Sequence, residues 1–234
     1  MKYLKDDMTY NEIELCKTEI KKFILETGNL EEYNFNIKPY DESFFVVIAK
    51  HILFFKYMYM CDTNIFYFQV LISDLYYFIE SILRSEIRYM YLNERSIIEN
   101  YTRLITNSSI KNDHITDNSF RILKQISNEF NFENSEFSLV KSEYAIACGY
   151  IHGSDIIKND LSYVFDECIF KKKRINERTK YYDRIKRVFK YFDSLLICVL
   201  PDYISGCFHR KKALLGYLVG QRCVDLLFEQ LNKK

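Results

Sequence analysis

The stretch SFFVVIAKHILFFKYMYMC, residues 43–61, decides the fold class. Drawn as a helix it is apolar nearly all round, interrupted only by Lys50, His51 and Lys56, and a helix with no polar face belongs at the centre of a bundle. Asp41 and Ser43 are candidate caps for its start. The rest of the chain agrees. It holds two prolines and six glycines in 234 residues. Sheet proteins need many turns, and turns draw on these residues. Their scarcity predicts an all-α fold of long helices joined by few loops.

Outward from that stretch the expected elements follow from apolar periodicity. Residues 9–27 form a first helix with Leu15, Ile20, Phe23 and Ile24 on one side and Gly28 as its stop. A loop around Asn34, Asn36 and Pro39 follows. Residues 64–92 read as one long core helix with Asp74, Glu80, Arg84 and Arg88 as its charged positions. Residues 94–106 form a shorter helix, 107–117 a polar loop, and 118–130 a helix with Ile122, Leu123 and Ile126 inward. A helix over 138–151 ends at Gly153, residues 153–178 are irregular, and helices over 179–199 and 210–231 close the chain. The expected organisation is an N-terminal helix and loop (1–42), a helical bundle (43–205) and a C-terminal helix packed on it (206–234).

Composition narrows the function. Hydrophobic residues make up 48% and aromatics 17%, enough to bury a core. The net charge is +1, which gives no overall bias toward DNA or membranes. The seven cysteines are scattered, with no Cys-x-x-Cys pair, and sit in apolar helical patterns as small hydrophobes. This fits a reducing compartment. The first residues lack the apolar run of a secretory leader, and charge breaks every long apolar stretch, so a cytoplasmic protein without a membrane span is expected. Glycine-rich phosphate loops, Gly-x-Ser-x-Gly and His-Glu-x-x-His are missing, so neither a nucleotide cofactor nor a metal is expected. Cys207 with His209, and Cys148 with His152, lack the paired spacing of zinc ligands.

Two constellations carry possible chemistry. The first is the helix end Tyr150-Ile151-His152-Gly153-Ser154. Lys141, Tyr144, Ala145, Cys148 and His152 follow one another along one helical face. A histidine at a helix C-terminus feels the macrodipole, which tunes it for proton transfer or phosphate contact. A capping histidine is the plain alternative. The segment Tyr144-Ala-Ile-Ala-Cys-Gly-Tyr150-Ile-His152-Gly-Ser154 resembles the Tyr-x-x-Leu-Ser-x-Tyr-Val-His-Gly-Ser signature of HEPN-like proteins, all-α proteins common in prokaryotic conflict systems. The resemblance implies an effector or toxin of an anti-phage or abortive-infection system. It implies metal-independent RNA cleavage, with His152 moving protons and an Arg steadying the phosphorane-like charge, and a homodimer pairing two such motifs. The family's Arg is separated from the His by four to six residues; here those positions hold Ala147, Ile146 and Ala145. Arg84, Arg88 or Lys141 are the expected substitutes.

The second is the basic run Lys171, Lys172, Lys173, Arg174, Arg178, Lys180, Arg184, Lys186, Arg187 and Lys190. Ten bases face only Glu177 and Asp183 over residues 171–190, with Tyr181, Tyr182 and Tyr191 interleaved. Such a stretch tracks a nucleic-acid backbone, docks an acidic protein, or is a solvated face. The two functional readings are an RNA-acting effector and a non-catalytic helical subunit that binds a partner protein or nucleic acid in a defence complex. A helical regulator outside this group, its likeness fortuitous, is the third.

Overall fold

The computed structural model describes residues 3–28, 35–62, 65–106, 117–152 and 177–233, with side chains from Asn11 onward. The fold is all-helical. The described residues form ten helices and no strand: α1 (Tyr3–Gly28), α2 (Pro39–Cys61), α3 (Phe66–Leu83), α4 (Ile87–Ile105), α5 (Asp117–Glu129), α6 (Asn134–His152), α7 (Arg178–Val199), α8 (Pro201–Cys207), α9 (Lys212–Val219) and α10 (Gln221–Asn232).

Helix α2 takes the central place its composition demands. Pro39 opens it at a position where a missing N–H costs nothing, and the Asp41 carboxylate accepts the Lys38 N–H at 2.8 Å. Phe44, Phe45, Ile48, Phe54, Phe55 and Met58 are fully buried. The partner in the centre is α7, whose residues from Tyr191 to Cys198 are all buried. Aromatic contact joins the two: Tyr182 stacks on Phe44 at 4.1 Å. So does charge. Asp41 accepts the Tyr182 hydroxyl at 2.8 Å and pairs with Arg178 at 3.1 Å.

Deeper in the same interface, His51 faces Asp193 at 2.8 Å and donates through Nδ1 to the Val47 carbonyl at 2.7 Å. Asp193 also accepts the Tyr101 hydroxyl from α4 at 2.9 Å. Burial alone would lower the His51 pKa, but the Asp193 charge and the two hydrogen bonds together raise it. One buried ion pair thus fastens α2, α4 and α7. Around them, α1 contributes Cys16 and Ile20 to the core, and the C-terminal helices contribute Leu214, Leu215, Leu218, Cys223 and Leu227.

The expected helix over 64–92 is two helices. It stops at Leu83 in a Schellman turn, where the Ser85 N–H reaches the Ile82 carbonyl and the Glu86 N–H the Ser81 carbonyl, both at 2.9 Å. Ser85 takes the left-handed conformation, φ 56°, that such a turn usually gives to glycine. With no Gly or Pro to mark it, apolar periodicity runs straight through the break. The reversal lays α4 back along α3. Ser96 and Asn100 of α4 then donate to Asp74 of α3, each at 2.8 Å.

The expected helix over 210–231 also divides, at Gly220 with φ 98°, and a short α8 precedes it. One helix, Pro39–Cys61, is long and apolar enough to cross a membrane by length and composition; 56% of its most apolar window is buried inside the fold.

Candidate functional site

Helix α6 reaches the surface at its C-terminal end, where His152 is exposed. Three neighbours hold the helix. From α5, Phe120 meets Tyr144 edge-to-face at 4.9 Å. From α7, Arg184 pairs with Glu143 at 2.7 Å and Arg187 with Glu136 at 2.9 Å. From α4, Tyr91 stacks on Tyr150 at 4.0 Å. The last turn of a helix leaves carbonyls without partners. Here Arg88 Nη2 donates to the Ile151 carbonyl at 3.1 Å, placing positive charge where the helix dipole favours it.

The cation at the imidazole is Arg95. Its Nη1 lies 3.3 Å from Nε2 of His152. A guanidinium only donates, so Nε2 is the acceptor in this contact. Arg95 is itself held from behind. Its Nε donates to Glu99 Oε1 at 2.8 Å, and the same oxygen accepts the Tyr144 hydroxyl at 3.0 Å. Glu99 Oε2 takes Arg103 Nη2 at 3.4 Å, Arg103 Nη1 donates to Asn100 at 2.9 Å, and Asn100 donates to Asp74. The result is a continuous polar chain from Asp74 to His152, running along α4.

The charges along this chain are set by burial and by each other. Burial pushes the Tyr144 hydroxyl well above its usual value, and the Glu99 carboxylate adds to the effect, so Tyr144 remains a neutral donor. Burial also raises Asp74; the hydrogen bonds from Ser96 and Asn100 oppose this, and Glu99 reinforces it. Burial works against the Arg95 charge, but the Glu99 carboxylate more than offsets it.

The residues singled out from the sequence fall in several places. His152 and Tyr144 lie on the polar chain, Tyr144 acting through Glu99. Arg88 caps the helix that carries His152. Arg84 ends α3 in a pair with Glu80 at 2.9 Å. Lys141 is exposed, but eleven residues of helix separate it from His152, about 16 Å of rise. A shared face is not a shared site, and that distance removes Lys141 as the cation for this imidazole. Of the basic run, Lys171, Lys172, Lys173 and Arg174 lie outside the described residues. Arg178, Arg184 and Arg187 are each paired with an acid of the fold, Asp41, Glu143 and Glu136. Arg178 also lies over the ring of Phe35 at 4.7 Å. These pairs tie α7 to α2 and α6.

Among the described residues no three His, Cys, Asp or Glu side chains gather as metal ligands. Sequence reasoning missed Arg95 and Glu99. Their signal was the run Arg95, Glu99, Arg103, spaced by four, seven residues on from Arg88 on the same face. Reading 64–92 as one helix left Arg88 and Arg95 on different elements and hid it. Comparison with protein-family models, curated proteins and solved structures gives no match for this chain.

Proposed function

We propose that the chain acts on RNA, with His152 and Arg95 as the pair that engages a phosphodiester. The observation that carries this reading is the 3.3 Å contact between Arg95 Nη1 and His152 Nε2 at an exposed helix end. The HEPN-like segment has no arginine of its own before His152, and a neighbouring helix supplies one. The resemblance of residues 144–154 to that family extends the proposal to an effector of a bacterial defence system.

The chemistry needs one base and one cation. With RNA bound, Arg95 Nη1 turns from His152 to the phosphate, and the freed Nε2 lone pair takes the proton of a ribose 2′-hydroxyl as its oxygen attacks the adjacent phosphorus. The bond from phosphorus to the 5′ oxygen breaks, leaving a 2′,3′-cyclic phosphate and a 5′-hydroxyl, and the leaving oxygen takes up a proton from the imidazolium or from water. Arg95 offsets the charge that builds on the non-bridging oxygens. Two of its five N–H groups are engaged by Glu99 and His152, and the guanidinium fork suits two phosphate oxygens at once.

The test is incubation of the purified chain with single-stranded RNA in excess chelator. Expected are fragments ending in cyclic phosphate, and no cut at positions carrying 2′-deoxyribose. Binding without cutting, weakened by Arg95→Ala, would instead identify a non-catalytic RNA-binding subunit.

A further inference from the structure

The end of α6 carries an aromatic ring beside the proposed site. Tyr150 stands two residues before His152 and is 42% exposed. One face of its ring is covered: it stacks on Tyr91 of α4 with centroids 4.0 Å apart and planes inclined by 16°. Tyr91 is itself held by the fold. It is buried, and it meets Tyr181 of α7 edge-to-face at 6.0 Å. Tyr181 packs against Tyr182, whose ring stacks on Phe44 of the central helix. A column of rings thus runs from the core to the surface, and Tyr150 is its outer end. A leucine would cover Tyr91 as well; what a ring adds is a flat outer face.

The anchors of Tyr150 and His152 lie one helical turn apart. Tyr91 and Arg95 are four residues apart on α4, about 6 Å of rise, and share a face. Tyr150 rests on the first, and His152 Nε2 lies 3.3 Å from Nη1 of the second. Between the two side chains, Arg88 Nη2 holds the Ile151 carbonyl at 3.1 Å. Arg88 is exposed, and the rest of its guanidinium adds positive charge at this end of the helix.

We propose that the outer face of Tyr150 is the stacking platform for one unpaired RNA base, whose phosphodiester lies at Arg95 and His152. This rests on the reading of His152 and Arg95 as a phosphodiester site, and it names the substrate class: RNA that is unpaired at the nucleotide engaged. A base inside a duplex has both faces occupied by its neighbours and cannot lie on Tyr150. An unpaired base is free to stack on an aromatic side chain. Every base has a π-face, so the platform is tolerant of sequence.

The experiment measures binding of the full chain to a single-stranded RNA blocked against cleavage by 2′-O-methyl groups, with the base removed at one position at a time. In the wild type one position should matter most, and loss of its base should weaken binding about fivefold to a hundredfold. Tyr150→Leu still covers Tyr91. It should weaken binding to the intact RNA by a similar factor and no longer respond to loss of that base. Tyr150→Phe keeps the ring and should bind as the wild type does. 2-Aminopurine at the sensitive position should lose fluorescence on binding the wild type, because stacking quenches it; this arm needs no variant. A wild type that binds RNA with no sensitive position and no quenching, or Tyr150→Leu binding like the wild type, would overturn the platform and leave the Arg95 and His152 reading in place. So would additive losses from Tyr150→Leu and base removal, which would mean that the ring only supports the fold. A wild type that binds no RNA would overturn both.

Discussion

Glu99 holds three side chains at once. Its carboxylate binds Arg95, Tyr144 and Arg103 at 2.8, 3.0 and 3.4 Å, and through Arg95 it fixes the cation beside His152. Glu99→Gln keeps the size of the side chain and removes the charge that orients the guanidinium. RNA cleavage should fall by about tenfold to a hundredfold, with the helical content unchanged by circular dichroism. Arg95→Lys should not restore a loss caused at this position, since an ammonium lacks the planar fork. The same scale sets the price of the buried pair at the centre. Removing His51 by His51→Ala leaves Asp193 buried with only the Tyr101 hydroxyl and no opposite charge. Destabilisation of about 3–5 kcal/mol is expected in urea unfolding.

The helical class and the central element were legible in the sequence, because both rest on composition and burial. Residues 43–61 are apolar nearly all round, and in this fold the middle of the bundle accommodates them. In the helix expected over 179–199, Tyr181, Ile185, Val188, Phe192 and Leu195 recur at helical spacing, and all are buried in α7. The turn between α3 and α4 was not. Its hydrogen bonds are backbone to backbone, and the left-handed position is held by Ser85 rather than glycine. That turn moves Arg88 and Arg95 onto one helix, so missing it meant missing the cation. The basic run was legible as charge, but not its direction. Arg178, Arg184 and Arg187 meet their acids only after α7 packs against α2 and α6. At this scale Ser85→Gly should stabilise the protein by about 1 kcal/mol, by relieving the left-handed strain, and thermal unfolding reads this directly. No gain, or a loss, would show that Ser85 itself contributes to the turn.

Over the whole molecule, polar ties run between the same helices that share the apolar core. His51 and Asp193 join α2 to α7, Glu143 and Arg184 join α6 to α7, and Asp74 with Ser96 and Asn100 joins α3 to α4. The raised pKa of His51 means that its contribution to stability is fully present below 6.5 and is lost as pH rises through the folded value. Urea midpoints at several pH values above 6.5 should therefore decline more steeply in the wild type than in His51→Gln. The polar ties also bring α4, backed by α3, against α6 at one exposed end, where α6 carries no arginine of its own to set beside His152. That convergence is the central claim, and the rate of RNA cleavage in excess chelator tests it most directly. The wild type should cut single-stranded RNA, and His152→Ala and Arg95→Ala should each cut at least about a hundredfold more slowly while unfolding at an unchanged temperature. A wild type that neither cuts nor binds RNA, or variants that cut as fast as the wild type, would contradict it.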